Sequence, residues 1–493
     1  MAIPKVCGVE TEYGILVRGA DPNPVAASSV LINSYVAAAS YRIDWDFVDE
    51  HPGQDARGFS WEDSLAPDVE PQLVNAVLTN GSRYYVDHAH PEISTPECRT
   101  ASQVVLYDRA AEEIVRRSMA LSRSALPEGA EILLYKNNSD GKGNSYGCHE
   151  NYLLDRAVPF GRLVSEITPH FVTRQIFTGA GKVGSEFPGD SPADVAFQIS
   201  QRADFFEEEV GLETTLRRPI VNTRDEPHCD PLKYRRLHVI VGDANMSEVA
   251  TFLKVGTTSL VLAMIEDGAI DRDLTLSDPV TSIRLVSHDP SLRQTIALRS
   301  GERMSALDVQ WALYEMAERY ASMRGLDCLG GDGHLVLTGW HDVLAGLESD
   351  PNSVADVVDW VAKKRIVDAY SDRHGIHGYD SRTKALDLQY HDMRPEKSIA
   401  RRAGLRVTCA DDDVSRAMFE PPADTRAFFR GRVLAKWPEQ VVAANWDSIV
   451  FDVGRDPLRR VPMMEPLRGT RDLVGELLDA SADVTDLLAR LGD

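Results

Sequence analysis

Acidic side chains at alternate positions of a strand-like segment are the first candidates for chemistry. The segment GVETEYG (8–14) places Glu10 and Glu12 two residues apart in a predicted strand, so both carboxylates emerge on one face. Magnesium takes oxygen ligands and tolerates several retained waters beside substrate phosphates. Glutamates are also common on the wet face of a half-exposed strand. The pair is therefore a candidate cation site that needs support from elsewhere in the chain.

Three further predicted strands repeat this polar-faced pattern. They are 82–87 with Arg83, Tyr85 and Asp87 on one face, 145–153 with Ser145, His149 and Asn151, and 236–242 with Arg236 and His238. Glu92 follows directly after the first of them, in HAHPE. Histidines beside carboxylates suit a site that holds metal and nucleotide phosphate together. A single histidine is more often a surface or structural residue, so the inference depends on the repetition.

Phosphate binding has other candidates outside these strands. GAGKVG (179–184) satisfies the glycine spacing of a dinucleotide fingerprint, but a predicted helix precedes it, and Lys182 lacks the flanking residues of a P-loop. Arg202 and Arg224 lie in polar segments, where guanidinium groups could clamp a carboxylate or phosphate or form ordinary surface ion pairs. GNSYG (143–147) has the GxSxG spacing, but it runs into the predicted strand 145–153 instead of joining a strand to a helix, so a serine hydrolase is disfavoured.

Charge and cysteine usage restrict the possible partners. Lys plus Arg total 53 against 76 Asp plus Glu, and the net charge of −23 disfavours nucleic acid. The six cysteines are scattered singly, which favours a reducing compartment. The N-terminus lacks a signal-peptide pattern, and no stretch is expected to reach the roughly 18 apolar residues that cross a bilayer. These features predict a cytoplasmic protein without a membrane partner.

Separate helical and strand-like blocks predict an α+β fold. Predicted helices are 31–39, 102–125, 247–266, 305–323 and 352–369, and 131–135 is a further strand. The acidic segment 44–70 predicts a long loop with short ordered pieces. A proline doublet at Pro421 and Pro422 marks the predicted boundary between a large domain, 1–415, and a small C-terminal domain, 416–493.

Several of these segments, in this order, resemble the Pup ligase/Dop family, a branch of the carboxylate-amine ligase and glutamine synthetase superfamily. They are GVETEYG (8–14), LTNGSRYYVDHAHPEISTPEC (78–98), LYKNNSDGKGNSYGCHENYL (134–153), NTRDEPH (222–228) and YRRLHVIVGDANMSE (234–248). The resemblance continues to NWDSIVFD and so covers nearly the whole chain. It implies a glutamine synthetase-like large domain whose curved antiparallel sheet, backed by helices, forms a cradle for ATP (or ADP plus phosphate) and Mg²⁺.

Carried onto matching positions, the resemblance implies a role for each candidate. Asp87 corresponds to the catalytic aspartate. The implied metal ligands are Glu10, Tyr85, Glu92 and His238, and the strand faces add His149. The implied nucleotide contacts are Arg83, Thr95, Arg236 and Trp446, and the strand faces add Glu12 and Asn151. Arg202 and Arg224 would hold the carboxylate or phosphate of the substrate.

Two local features favour the hydrolytic branch of this family. The stretch between Tyr41 and Asn75, which contains 44–70, resembles a loop that the ligases lack, and DHAHPE has the hydrolase spacing between Asp87 and Glu92. The implied reactions are cleavage of the isopeptide bond between Pup's C-terminal glutamate and a lysine, and deamidation of Pup's C-terminal glutamine. Implied partners are Pup, pupylated proteins and the proteasomal ATPase pathway. GCHENYL and GDANMSE are close to the ligase pattern, so a Pup ligase acting through a glutamyl phosphate stays open, as does a non-catalytic Pup-binding protein.

Overall fold

The computed structural model describes residues 1–39, 43–48, 50–60, 74–191, 193–454 and 456–492. Within them the strands are β1 (Cys7–Glu12), β2 (Gly14–Arg18), β3 (Asp44–Trp45), β4 (Gln54–Asp55), β5 (Phe59–Ser60), β6 (Asn75–Val77), β7 (Arg83–Asp87), β8 (His90–Ser94), β9 (Glu131–Tyr135), β10 (Cys148–Asp155), β11 (Lys182–Val183), β12 (Phe197–Gln198), β13 (Phe206–Gly211), β14 (Arg218–Asn222), β15 (Tyr234–Val239), β16 (Thr295–Ala297), β17 (Arg303–Ser305), β18 (Val441–Ala444), β19 (Ser448–Phe451) and β20 (Arg459–Pro462).

The α-helices cover and surround this framework. They are α1 (Pro24–Ala38), α2 (Ala101–Ser122), α3 (Phe160–Thr173), α4 (Gln175–Thr178), α5 (Glu248–Glu266), α6 (Pro279–Ser287), α7 (Ala306–Arg324), α8 (Gly333–Ser349), α9 (Asp359–His374), α10 (Ser381–Tyr390), α11 (Asp411–Ala417), α12 (Ala427–Lys436), α13 (Arg471–Ala480) and α14 (Val484–Gly492). The mixture confirms the predicted α+β class.

Ten of the described strands form one sheet, in the order β15-β10-β1-β8-β7-β6-β3-β18-β19-β20. Neighbouring strands in this sheet are antiparallel, apart from β3 and β18, which are parallel. Helices α1, α2 and α5 pack against β7, β1 and β10, respectively, and enclose the main core with inward residues such as Val9, Ile93 and Leu237. Because side chains alternate along a strand, the residues between these apolar ones emerge on the opposite face.

Helix α5 corrects one expectation from the sequence. It is long and apolar enough to cross a membrane by length and composition, although no such stretch was expected from the sequence. In the fold, however, 89% of its apolar window is buried inside the protein. It packs against α2, α3 and α8 and is therefore a core helix.

Several predicted boundaries shift for identifiable reasons. Helix α1 begins at Pro24 rather than at 31, because the Asn23 side chain accepts a hydrogen bond from the Ala26 amide and a proline opens the first turn. Strand β10 begins at Cys148, so Ser145 is not part of the predicted strand face. Helix α9 begins at Asp359, and a separate 3₁₀ turn occupies 351–354. Strand β9 lies where it was expected.

The acidic segment 44–70 contains β3, β4 and β5, and its residues 61–70 lie outside the described residues. Asp55 anchors this segment to the body of the protein, because the Thr223 hydroxyl donates to its carboxylate at 2.7 Å. The C-terminal part of the chain has its own hydrophobic cluster, which includes Phe428 and Phe451 and also Ile43 and Trp45 from the N-terminal half. The division at 415/416 stays a prediction.

Candidate active site

Five neighbouring strands bring the candidate side chains into register on one face of the sheet. Glu10 lies opposite His149 on β10 and Ser94 on β8. Glu12 lies opposite Glu92, which in turn pairs with Tyr85. The resulting polar face comprises Arg83, Tyr85 and Asp87 of β7, Glu92 of β8, Glu10 and Glu12 of β1, His149 and Asn151 of β10, and Arg236 and His238 of β15.

One end of the polar face has the donor set of a cation site. Potential ligand atoms of Glu10, His149 and His238 all lie within 4.8 Å of one another. Asn151 orients two of them: its Nδ2 donates to Glu10 Oε1 at 2.7 Å, and its Oδ1 lies 3.2 Å from His238 Nδ1. A proton on His238 Nδ1 would satisfy that contact and leave Nε2 free as a ligand. Burial opposes ionisation of Glu10, but His149, His238 and Arg236 together hold its pKa well below the usual range.

The side chains next to this group are mainly acidic, and their charges are not offset as the charge of Glu10 is. Glu92 is 2% exposed, and burial, followed by the charges of Asp87, Glu12 and Glu10, raises its pKa well above the usual range. Burial and Glu92 likewise raise the pKa of Tyr85. This concentration of oxygen donors and negative charge is what a divalent cation would neutralise. The predicted metal residues therefore form two adjacent groups, Glu10 with the two histidines and Glu92 with Tyr85.

Asp87 lies at the end of β7, at the edge of the polar face. Its Oδ2 is 2.9 Å from Nδ1 of His88. Burial would raise the pKa of Asp87, but the contact with His88 and the charges of His149 and Arg83 lower it below the ordinary value. Asp87 is therefore an ionised carboxylate, with 38% of its side chain exposed, which is the state a nucleophile or general base requires.

A cleft of about 590 Å³ opens beside the first cation group. Thr95, Asn151, Arg236 and Trp446 line it together with Glu10. Gly8 also lines the cleft, and a Cβ at this position would approach Thr95 Oγ1 to 3.0 Å. The cleft is open and has a glycine in its lining, and its guanidinium group and indole fit the phosphates and base of a nucleotide.

Arg83 and Glu12 do not line this cleft, although both were expected to contact nucleotide together with the four residues that do. The guanidinium carbon of Arg83 is 4.0 Å from the ring centroid of Trp45 and 4.1 Å from that of Tyr85. Its Nε donates to Asn75 Oδ1 at 2.9 Å. Trp446 also contacts Trp45, edge to face, with a centroid separation of 5.2 Å. The Trp45 ring thus connects Arg83 to the wall of the cleft.

Arg202 is not part of a surface ion pair. It is 1% exposed, its Nη1 donates to the Ile240 carbonyl at 2.7 Å, and its Nε has no hydrogen-bond partner within the described part of the chain. Burial and the nearby Arg218 lower its pKa to about 10. Arg224 also has a buried Nε without a partner among the described residues. Both arginines therefore retain the capacity to bind an anion.

The glycine segment 179–184 is structural, in agreement with its exclusion as a nucleotide loop. Lys182 is buried and pairs with Glu186 at 2.7 Å and Asp204 at 3.2 Å. By contrast, His88 and His90 contact the polar face and are missed by the strand pattern, because His88 lies in a turn. His90 Nδ1 is 3.4 Å from Glu12 Oε2. Two histidines directly after Asp87 are the sequence signal that could have found them.

This combination of features defines the class of the protein. A curved antiparallel sheet backed by helices, with paired carboxylates, imidazoles and arginines on its open face, is the cradle of a glutamine synthetase-like enzyme. The chain belongs to the family described as Pup-ligase protein, whose profile matches residues 5–450.

Relatives from both branches of this family are similar to the chain. A depupylase of Acidothermus cellulolyticus is 50% identical over 504 aligned residues, which cover 99% of each chain. A Pup–protein ligase of Nakamurella multipartita is 41% identical over 416 residues, which cover 82% of this chain and 90% of the ligase. The similarity to the depupylase is thus both higher and more complete.

Two solved structures share the fold. The complex between the prokaryotic ubiquitin-like protein Pup and its ligase PafA superimposes with a TM-score of 0.80 at 31% identity, covering 99% of this chain and 95% of the other. The Pup ligase PafA in complex with ADP gives a TM-score of 0.74 at 34% identity, covering 85% and 92% of the two chains.

Proposed function

We propose that this chain is a depupylase and Pup deamidase. It hydrolyses the isopeptide bond between the side chain of Pup's C-terminal glutamate and a substrate lysine, and it converts a C-terminal glutamine of Pup to glutamate. The observation that carries this proposal is the full-length similarity to a depupylase at 50% identity, against a partial match to the ligases. The ionised Asp87 on the polar face is the group that this chemistry requires.

The proposal includes nucleotide and Mg²⁺ as cofactors. Arg236, Thr95 and Trp446 would hold ATP, or ADP plus phosphate, in the cleft, and a solved relative binds ADP. Glu10, Glu92, Tyr85 and the two histidines would hold Mg²⁺. When bound, the metal and phosphates supply positive charge and fixed dipoles that polarise the substrate carbonyl. Amide hydrolysis is downhill, so the reaction does not need stoichiometric ATP turnover.

Residues of the chain supply the attack and the binding of substrate anions. The Asp87 carboxylate attacks the side-chain carbonyl carbon directly or removes a proton from the attacking water. Arg202 and Arg224, which have unpartnered Nε atoms among the described residues, bind the carboxylate of Pup's last residue or a phosphate. Trapping with hydroxylamine during turnover separates the two routes, because only direct attack yields a hydroxamate on Asp87.

Pup and pupylated proteins are the proposed partners, in the cytoplasm, and the chain would act upstream of the proteasomal ATPase by removing Pup. A Pup ligase is the second candidate, because a ligase is 41% identical over most of the chain. A non-catalytic Pup-binding protein is the third, and the retention of Glu10, Tyr85, Asp87, Glu92 and His238 on one face opposes it.

One incubation discriminates between these functions. The purified protein is mixed with ATP, Mg²⁺, a pupylated substrate and Pup that ends in glutamine, and Pup release, deamidation and ADP are measured together. We expect release and deamidation with little ADP, lost in Asp87→Asn and retained in Asp342→Asn, which alters an exposed carboxylate. Attachment of glutamate-ended Pup to lysine, coupled to ADP formation, would identify a ligase instead. Pup binding without either reaction would identify a sequestering protein.

A further inference from the structure

His88 occupies a strained position at the tip of the hairpin that carries Asp87. Asp87 pairs across the hairpin with His90, so His88 and Ala89 form a two-residue turn between β7 and β8. The backbone φ of His88 is 51°, in the left-handed region, where a residue with a Cβ costs about 1 kcal/mol. Such strain clusters at functional sites, where the surrounding structure maintains it.

The strained turn directs the imidazole back onto the catalytic carboxylate. Nδ1 of His88 is 2.9 Å from Oδ2 of Asp87. The His88 side chain is 66% exposed, so its second nitrogen can be reached from the open face of the sheet. An imidazolium in this position would hold Asp87 through Nδ1–H and present Nε2–H to a molecule bound at the same carboxylate.

The charges around His88 favour its protonated form. The hydrogen bond and charge of Asp87 raise the pKa of His88 to about 8, and the charge of Glu12 acts in the same direction. Burial and the charge of Arg218 oppose this rise. His90 is the other titratable group next to it, and burial lowers the pKa of His90. His88 is thus a cation beside an ionised Asp87 at neutral pH.

Cleavage of a lysine isopeptide bond requires a proton donor, because an alkylamide anion is too basic to leave. An Asp87 carboxylate that attacks directly has no proton to supply, since it is ionised. We propose that His88 is the general acid of this enzyme, which protonates the amine as it leaves the side-chain carbonyl of Pup's last residue. This inference rests on the proposed hydrolase function and assigns a second catalytic residue to it.

The proposed step conserves atoms and charge. An Asp87 oxygen forms a bond to the side-chain carbonyl carbon, the C–N bond breaks with its electron pair remaining on nitrogen, and that nitrogen takes the proton of His88 Nε2. Water then adds to the resulting anhydride and releases both carboxylates. One proton of this water returns to His88, and the other protonates the released lysine amine to ammonium. If water is the nucleophile instead, the proton donation by His88 is the same.

A general acid is required only for a poor leaving group, and this property provides the test. Turnover is measured with three substrates: a lysine isopeptide, Pup with a C-terminal glutamine, and Pup whose last glutamate is a side-chain phenyl ester. We expect His88→Ala and His88→Gln to slow the two amides by about 10²- to 10⁴-fold. The ester, whose leaving group needs no proton, should react at close to the rate of the unaltered protein.

The rate of ester cleavage also shows whether the variants retain their fold. The matched control is His341→Ala, because His341 is another exposed histidine beside an aspartate, with 3.2 Å between its Nδ1 and Asp342 Oδ1. This variant should not change any of the three rates. Equal losses on amide and ester in both His88 variants, or no loss on either, would overturn the assignment while leaving the hydrolase intact. If the unaltered protein cleaves none of the three substrates, the proposed function itself is refuted.

Discussion

Glu97 joins the sheet to helix α12, and its removal is the perturbation that the structure predicts most sharply. Arg426 Nε donates to Glu97 Oε1 at 2.7 Å, and Arg430 binds both carboxylate oxygens. Arg430 Nη1 also donates to the Trp446 carbonyl at 3.1 Å. Glu97 is 12% exposed, and Glu97, Arg426 and Trp446 line the proposed nucleotide cleft. We expect Glu97→Gln to loosen α12 and displace Trp446.

The magnitude follows from the pKa of Glu97. Burial opposes ionisation, but Arg430 and Arg426 lower the pKa from 4.5 to about 2. A difference of roughly 2.5 units at about 1.4 kcal/mol per unit gives about 3 kcal/mol of stabilisation at neutral pH. Because the folded pKa is depressed, this contribution is complete above about pH 4.5 and is lost as the pH falls toward 2. Glu97→Gln should lose it at pH 7 and lack the pH dependence.

Hydrogen exchange of residues 427–436 measures this local stability without assuming two-state unfolding of a long chain. At pH 7 we expect exchange of the α12 amides to accelerate by about two orders of magnitude in Glu97→Gln, together with weaker nucleotide binding. The control is Glu131→Gln, which breaks an exposed pair with Arg18 at 3.3 Å that is worth at most about 1 kcal/mol. Equal exchange in both variants would refute the role of Glu97 as a clamp.

Three other substitutions test separate parts of the site. Asn151→Ala removes the 2.7 Å bond that orients Glu10 and should weaken Mg²⁺ binding by about 10- to 100-fold in a metal titration; Asn352→Ala, on an exposed turn, should have no effect. Arg202→Lys keeps the charge but loses the planar fork, so turnover should fall by about tenfold or more with unchanged nucleotide affinity, and equal loss of both would contradict an anion-binding role. Trp446→Ala should raise the KM for nucleotide by about tenfold without lowering kcat at saturation; an unchanged KM would place the base elsewhere.

The faces of the strands were predictable because a period of two residues determines which side chains share a face. Thus Arg83, Tyr85 and Asp87 were assigned to one face, and β7 begins one residue later than expected. The order of strands was not predictable from periodicity, because alternation does not show which strands are neighbours. That Glu10 lies between Ser94 and His149 depends on long-range pairing. Likewise, the roles of Asp87 and the metal ligands came from family resemblance.

Burial was the property that local sequence predicted least well. Arg202 has a polar sequence neighbourhood and was compatible with a surface ion pair, yet it is 1% exposed because the surrounding chain folds over it. Arg83 was grouped with the nucleotide contacts, but Trp45, from the segment that was predicted as a loop, covers its guanidinium group. Both outcomes depend on contacts between residues far apart in the sequence, which single-strand patterns do not contain.

The two glutamates nearest the proposed metal have opposite electrostatic surroundings, although their strands are neighbours. Glu10 faces His149, His238 and Arg236, and its pKa is lowered. Glu92 faces Asp87, Glu12 and Glu10, and its pKa is raised. A divalent cation near Glu92 would therefore relieve repulsion, while Glu10 is already held in place by a hydrogen bond from Asn151. Asp87 is one of the charges that act on Glu92, so a cation bound near Glu92 would also favour the ionised form of Asp87, the proposed catalytic carboxylate.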